Sequence, residues 1–186
     1  MAATKHAQAI KRDSQDYLTT ALLQLLETHD LNTITVTQVV KRAGVSRMAF
    51  YRNFETLDDL LVAYFRPAIT ARFNDLLTNV PAEQKMAAIG RFFSEFAPTL
   101  QLAAERGFEP IIRQIFDENM ATFYQALLTE TPLSPVQQEY WTTFMSAGVY
   151  AIWRTWLMGG QAESLAQVHD LLAAFQTATL GALVQK

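Results

Sequence analysis

A short basic segment near the N-terminus carries the side chains of this 186-residue chain that are best suited to contact a nucleic acid. On a helix that begins at Ser46, four side chains share one face, namely Arg47, Met48, Tyr51 and Arg52. An arginine can hydrogen-bond guanine or contact phosphate, and a methionine can contact a thymine methyl group. A tyrosine hydroxyl reaches phosphate while its ring lies against the sugar. The spacing therefore predicts a helix that reads the major groove of DNA.

The sequence around this helix predicts the elements that position it. Thr35-x-x-Gln38 is a capping box, which begins a helix that ends near Ala43. Gly44 supplies a left-handed turn, and Ser46 caps the next helix. Two helices joined by a tight turn are typical of a helix-turn-helix. We therefore predict that Ser46 belongs to the DNA-binding surface. Thr35 and Thr37 are predicted phosphate contacts, because they lie at a helix N-terminus.

The charge distribution favours the same interpretation. Residues 31–54 contain four basic residues and no Asp or Glu, although the whole chain has a net charge of −3. Residues 1–66 carry a net charge of +1, and residues 67–186 carry −4. Phosphate attraction is screened beyond about 8–10 Å, so local charge decides where DNA binds. The alternative is a solvated basic helix on an ordinary helical protein.

The segment Ala43-Gly-Val-Ser-Arg-Met-Ala-Phe-Tyr-Arg-Asn-Phe54, followed by Leu57-Asp-Asp-Leu-Leu61, resembles the TetR-type bacterial transcriptional regulators (TetR/AcrR). The resemblance covers roughly residues 10–65. It implies a homodimer that binds a near-palindromic double-stranded operator and represses transcription. It also implies that a small molecule bound in the C-terminal domain releases the operator.

One position departs from the family pattern. The fourth helix of these regulators commonly starts with a lysine that contacts phosphate, whereas this chain has Leu57 followed by two aspartates. A basic residue near the N-terminus (Lys5, Lys11 or Arg12) is one possible substitute for the missing contact. The departure leaves open a second hypothesis, a TetR-fold regulator that acts through a protein partner with weak or no DNA binding of its own.

The remainder of the chain predicts only helices, so the fold class is all-α. Thr56-x-x-Asp59 begins a fourth helix, and Pro67 is predicted to interrupt it. We place the domain boundary there, which gives a three-helix DNA-binding domain over 1–66 and an effector-binding and dimerisation domain over 67–186. Helical periodicity continues near 68–79, 83–104, 109–130, 135–158 and 162–184, about nine helices in all. Pro98 is predicted to kink or split the second of these five segments.

The C-terminal half is rich in aromatic residues that either line an effector pocket or form plain core. The pocket candidates are Phe92, Phe96, Phe108, Phe116, Phe123, Trp141, Phe144 and Met145, with Phe93 and Tyr124 as further members of the group. A pocket with these walls takes a largely apolar molecule. Arg113 and Arg154 either orient an anion or satisfy local helix-end and carboxylate groups.

The last two helices are predicted to form an intersubunit four-helix bundle. The helix over 135–158 is apolar over so much of its surface that it must be covered on more than one side. Predicted interface residues are Trp153, Leu157, Leu165, Val168, Leu172 and Phe175. The alternative is one large monomeric core. The segment Met145–Gly160 resembles a C-terminal domain type of a Firmicutes-rich branch of the family.

Composition and motifs also make several functions unlikely. The chain has no cysteine, and its three histidines are far apart in sequence, so we expect no metal site and no cofactor. Enzyme motifs such as a phosphate loop or a nucleophile elbow are absent, and we expect no catalysis. No signal sequence or apolar span of about 18 residues is visible. We expect a soluble, cytoplasmic protein that does not bind membranes.

Overall fold

The structure, a computed structural model, describes residues 2–81 and 84–184, and all the regular secondary structure in these ranges is helical. Side chains are described from residue 13 onward, apart from that of Met86. Eight α-helices occur in the described part of the chain: α1 Ala2–Leu26, α2 Val36–Ala43, α3 Arg47–Tyr51, α4 Leu57–Asn79, α5 Lys85–Arg106, α6 Glu109–Leu128, α7 Pro135–Met158 and α8 Leu165–Val184. None of the helices in this part is long and apolar enough to cross a bilayer. The prediction of an all-α chain is confirmed.

The chain divides into two compact units. The first contains residues 1–67 together with 102–112, and the second contains residues 68–101 together with 113–186. The helices α4, α5 and α6 each contribute residues to both units.

The core of the first unit is built from the apolar faces of α1 to α4. Its buried side chains include Leu18, Leu22, Leu26, Ile34, Val39, Val40, Phe50, Phe54, Leu60 and Leu61. On α1 these residues recur every three or four positions, which is the spacing that places them on one helical face.

The turn between α5 and α6 belongs to the first unit, which the sequence did not reveal. Arg106, the last residue of α5, donates a hydrogen bond of 3.2 Å to the carbonyl of Glu27. Its guanidinium also lies 3.6 Å from the carboxylate of Asp30. The ring of Phe108 stacks on that of Phe65, with centroids 5.9 Å apart. An arginine before a glycine turn was the only sequence signal for this contact.

Neither Pro67 nor Pro98 ends a helix, and the kink predicted at Pro98 remains a prediction. Pro67 lies inside α4 and Pro98 inside α5, and both helices continue through them. The predicted break at Pro67 is therefore wrong, and the two helices expected on either side of it are one. Proline removes a donor to the carbonyl four residues earlier. At Pro67 that carbonyl belongs to Ala63, which is exposed, so water can satisfy it.

The core of the second unit centres on Phe93 of α5. Its ring stacks on Trp153 of α7, with centroids 5.5 Å apart, and meets the edge of Phe116 of α6 at 5.0 Å. Gly90, one turn earlier on α5, faces the same Trp153 ring. These contacts join α5, α6 and α7 in one aromatic core.

Candidate nucleic-acid interface

The predicted capping box at the start of α2 is present. The hydroxyl of Thr35 accepts a hydrogen bond of 3.3 Å from the backbone N–H of Gln38, and the Gln38 side chain accepts one of 2.7 Å from the backbone N–H of Thr35. The Thr35 hydroxyl also donates to the Gln38 side chain at 2.8 Å. Its proton is therefore already used within the box. Thr37 is exposed in the first turn of the same helix, where the helix dipole attracts an anion.

The turn between α2 and α3 depends on Gly44. Its φ of +67° lies in the left-handed region that favours glycine. The backbone N–H of Val45 then donates to the carbonyl of Val40 at 3.1 Å, which closes the end of α2. Two residues later the Ser46 hydroxyl accepts a hydrogen bond of 3.1 Å from Ala49 and caps α3, as predicted.

The two faces of α3 differ sharply in burial. Phe50 is fully buried, and its ring lies 5.9 Å from that of Phe54. On the other side Met48 is 79% exposed and Tyr51 is 51% exposed, and Arg47 and Arg52 are exposed as well. The helix is thus anchored by one face and presents the other to solvent. We call Arg47, Met48, Tyr51 and Arg52 the reading face.

Arg47 and Tyr51 contact each other, and this contact was not predicted from the sequence. The Arg47 guanidinium donates a hydrogen bond of 3.2 Å to the Tyr51 hydroxyl and lies 5.7 Å from the centre of the ring. The i, i+4 spacing was the available signal. The contact limits the conformations of a long, flexible side chain before any DNA is bound. The side chains of Arg47 and Tyr51 therefore form one hydrogen-bonded pair on the reading face.

This contact predicts coupling between the two residues in DNA binding. Tyr51→Phe should weaken DNA binding by about 0.5–1.5 kcal/mol, because it removes one hydrogen bond and leaves Arg47 less ordered. The same change in an Arg47→Ala background should have a smaller effect. Fluorescence anisotropy with the native chain, both single variants and the double variant measures this coupling. Additive effects would contradict it.

The start of α4 confirms the second predicted capping box. The Asp59 carboxylate accepts hydrogen bonds from the backbone N–H of Thr56 at 2.8 Å and of Glu55 at 3.1 Å. The Thr56 hydroxyl accepts one of 3.1 Å from Asp59. Leu57 is the first residue of the helix and is partly buried. Asp59 thus caps the helix, and both Asp59 and its neighbour Asp58 are exposed. The side chains of Lys5, Lys11 and Arg12 lie outside the described residues.

The box also predicts how stability depends on pH. Hydrogen bonds from Thr56, supported by that from Glu55, lower the pKa of Asp59 below its usual value. A lowered folded-state pKa means that the stabilisation is present above the unfolded pKa and is lost as the pH falls through the folded one. Asp59→Ala should therefore lower the melting temperature at pH 7 but much less near pH 3. Asp58→Ala is the matched control, and a difference of equal size at both pH values would contradict the prediction.

The predicted pocket residues occupy four different environments. Phe116, Phe123, Trp141 and Met145 are buried in the second unit, and Phe108 is buried in the first. Phe92 and Phe96 are half-buried and line a surface hollow of about 230 Å³ between α4 and α5. Phe144 is 60% exposed on α7, so it lines no internal pocket. The buried phenylalanines and Trp141 thus contribute to the cores of the two units. An effector site lined by these residues remains a prediction.

Arg113 contacts a carboxylate, which was one of the two alternatives for it. Its Nε lies 3.7 Å from Asp117, and its guanidinium lies 5.8 Å from the centre of the Tyr150 ring. Burial raises the pKa of Asp117, against the lowering effect of Arg113.

The residues predicted for the intersubunit bundle also divide by burial. Leu165 and Phe175 are exposed on α8, whereas Trp153, Leu157, Val168 and Leu172 are buried within the chain itself. Trp153, Leu157 and Leu172 thus contribute to the core of the subunit, whereas Val168, although buried, lines a groove between α7 and α8. A place for these residues in a dimer interface remains a prediction. The exposed apolar residues of α7, among them Tyr140 and Phe144, lie on a different face of the helix. Because α7 is apolar on nearly all sides, its pattern did not distinguish the covered faces from the exposed one.

These observations define a class of protein. A capped helix, a left-handed glycine turn and a second capped helix with an exposed basic face form a helix-turn-helix DNA-binding domain. Residues 18–64 match the model of a family described as bacterial regulatory proteins, tetR family. Residues 18–64 therefore form a DNA-binding domain of the tetR type.

Comparison with solved structures finds a similar fold in two regulators. A TetR transcriptional regulator from Streptococcus agalactiae 2603V has a similar fold, with a TM-score of 0.67 and 19% identity over 95% of this chain and 99% of that one. The dihydroxyacetone kinase operon activator DhaS gives a TM-score of 0.52 and 17% identity over 92% of this chain and 98% of that one. Identities this low show a common fold alone. No matching sequence was found among curated proteins.

Proposed function

We propose that this chain is a homodimeric repressor that binds a near-palindromic operator and is released from it by a small-molecule effector in the cytoplasm. In this proposal residues 1–66 bind DNA, and residues 67–186 bind the effector and the second subunit. The observation that carries the proposal is the reading face, which is exposed while Phe50 fixes the opposite face of the same helix in the core.

The exposed apolar surface of α7 and α8 supports the homodimer. Tyr140 is 71% exposed on α7, and Leu171 and Phe175 are 48% and 46% exposed on α8. A groove of about 690 Å³ lies between the two helices, with Ile152 and Trp156 among the residues that line it. Exposed apolar side chains and an apolar groove favour burial against another protein surface. A second copy supplies the two-fold symmetry that a palindromic site requires.

The proposed homodimer predicts that negative charge introduced on α8 prevents association of the two subunits. The double variant Leu171→Glu/Phe175→Glu should be monomeric, because the contact would bury two carboxylates. Light scattering after size-exclusion chromatography measures the mass, and the native chain should have twice the 21.0 kDa of one subunit. The exposed substitution Thr122→Glu on α6 serves as the control. A native chain that elutes as a monomer at all concentrations would contradict this part of the proposal.

Repression is proposed from the family resemblance rather than from the structural matches. One structural match is described as an operon activator and the other only as a regulator. The effector is proposed to be small and largely apolar.

A second candidate function is regulation through a protein partner. Leu57 and the exposed Asp58 favour it, because an apolar and an acidic residue stand where a phosphate-binding lysine is common in the family. A gel-shift assay with DNA from upstream of the chain's own gene separates the two candidates. A shift by the purified chain at low salt supports autonomous binding. No shift at low salt supports the partner.

A further inference from the structure

Besides the hydroxyl of Ser94 on α5, three buried hydroxyl groups of the second unit have no hydrogen-bond partner within the described part of the chain. They belong to Tyr124 of α6 and to Thr142 and Ser146 of α7. All three residues are nearly inaccessible to solvent, with exposures of 0%, 6% and 5% respectively. Buried polar groups normally have partners, because an unpaired one loses its hydration without compensation. The three hydroxyls therefore need an explanation.

The contacts between α6 and α7 place the three hydroxyls along one seam. The ring of Phe116 lies 5.3 Å from that of Tyr150, and the ring of Tyr124 lies 5.0 Å from that of Trp141. Phe116 pairs with Tyr150, and Tyr124, further along α6, pairs with Trp141, which is earlier in α7. The two helices are therefore antiparallel. Tyr124 lies beside the N-terminal part of α7.

The position of the other two hydroxyls follows from the helical repeat. Thr142, Ser146 and Tyr150 are spaced by four residues and share one stripe of α7. The ring of Tyr150 contacts Phe116 of α6 and, at 6.2 Å, Phe93 of α5, so the stripe faces the core that these helices share. We call Tyr124, Thr142 and Ser146 the hydroxyl seam.

We infer that the hydroxyl seam binds an uncharged small molecule that combines an apolar frame with a hydroxyl or carbonyl group. That this molecule is the effector rests on the proposed function; that the seam binds such a molecule does not. Hydroxyls both donate and accept hydrogen bonds, so they match either group on a ligand. The aromatic side chains beside them, such as Trp141 and Phe123, match the apolar frame.

The charges on the two helices explain why the ligand is uncharged. Each helix contains one basic residue, Arg113 on α6 and Arg154 on α7. Arg113 is eleven residues from Tyr124 and Arg154 eight from Ser146, or about 16 Å and 12 Å along a helix. Arg113 is also paired with Asp117. An anion bound at the seam would lose its hydration, and neither helix places a basic side chain beside it. Burial of an unpaired charge is energetically unfavourable. Burial also raises the pKa of Tyr124, which keeps its hydroxyl protonated as a donor.

A pair of matched probes tests the inference with the full chain. The probes are p-cresol and p-xylene, which differ by a hydroxyl in place of a methyl group, with 4-methylbenzoate as the charged comparison. Tryptophan fluorescence reports binding, since Trp141 contacts Tyr124. The native chain should bind p-cresol about tenfold more tightly than p-xylene, as one to two hydrogen bonds would give, and 4-methylbenzoate least tightly.

The seam is then removed in the triple variant Tyr124→Phe/Thr142→Val/Ser146→Ala. The variant should bind p-cresol and p-xylene within about twofold of each other, since the hydrogen bonds are gone. Without any probe it should melt at the same temperature as the native chain or higher, because unpaired polar groups have been replaced by apolar ones of similar shape. Thr143→Val, a change of the exposed neighbour, is the control and should behave as the native chain does.

Three results would overturn the inference. They are failure of the native chain to bind p-cresol, equal binding of p-cresol and p-xylene by it, and a triple variant that melts several degrees lower without any probe. The last result would mean that the hydroxyls already have partners. DNA binding is measured separately, so a chain that binds DNA but not p-cresol refutes this inference alone. A chain that binds p-cresol at the seam but not DNA refutes the proposed function and leaves the site intact.

Discussion

Replacing Phe50 with alanine should destabilise the first unit more than any change on the exposed side of the same helix. Phe50 is fully buried and meets the edge of the Tyr51 ring at 5.2 Å as well as the ring of Phe54. Truncation of a buried phenylalanine costs about 3–5 kcal/mol, which is much of the stability of a small domain. Urea denaturation followed by circular dichroism should show this loss. DNA binding should be lost with it.

The matched control is Met48→Ala, two residues away. Met48 is 79% exposed, so its truncation should change the free energy of unfolding by no more than about 0.5 kcal/mol. The two variants thus separate the anchoring face of α3 from the reading face. If Met48→Ala destabilised the chain as much as Phe50→Ala, the orientation of α3 described here would be incorrect.

The second large effect is expected at Gly90 of α5. A Cβ atom at this position would lie 2.8 Å from Cη2 and 2.9 Å from Cζ2 of Trp153, which is closer than side chains pack. Trp153 is fully buried and stacks on Phe93, so its ring has little room to move. Gly90→Ala should therefore lower the free energy of unfolding by about 1–3 kcal/mol, although alanine favours a helix more than glycine does. Urea denaturation measures the loss.

A second substitution shows whether the Trp153 ring is the cause. In a Trp153→Phe background the smaller ring leaves room for a methyl group at position 90. Gly90→Ala should then be close to neutral or stabilising, since the intrinsic preference of alanine for helix is about 1 kcal/mol. An equal loss in both backgrounds would place the cause elsewhere.

Local signals in the sequence were sufficient to predict the DNA-binding elements. Thr35, Gly44 and Ser46 each act through the backbone of their own neighbours, so their roles depend on residue type and short spacing alone. The same is true of Thr56 and Asp59. The inward side of α3 was predictable because a short helix beside a turn has one apolar face.

The remaining features depend on which surfaces meet in three dimensions. Pro67 reads as a break in sequence, but its effect depends on whether water reaches the carbonyl of Ala63. On α7 the apolar residues surround the helix, so periodicity did not predict that Trp153 is covered within the chain and Phe144 is not. The sequence did not indicate a role for the hydroxyls of Thr142 and Ser146, because the burial of a serine or threonine cannot be read from its residue type.

The central claim is that the exposed face of α3 reads DNA, and an anisotropy titration of Arg47→Ala tests it most directly. The native chain and the variant are compared on a duplex from upstream of the chain's own gene and on a shuffled duplex of equal length. If Arg47 contacts a base, the variant should lose about 1–3 kcal/mol on the upstream duplex and less on the shuffled one. An equal loss on both would assign Arg47 to phosphate. A variant that binds the upstream duplex as tightly as the native chain does would contradict the claim.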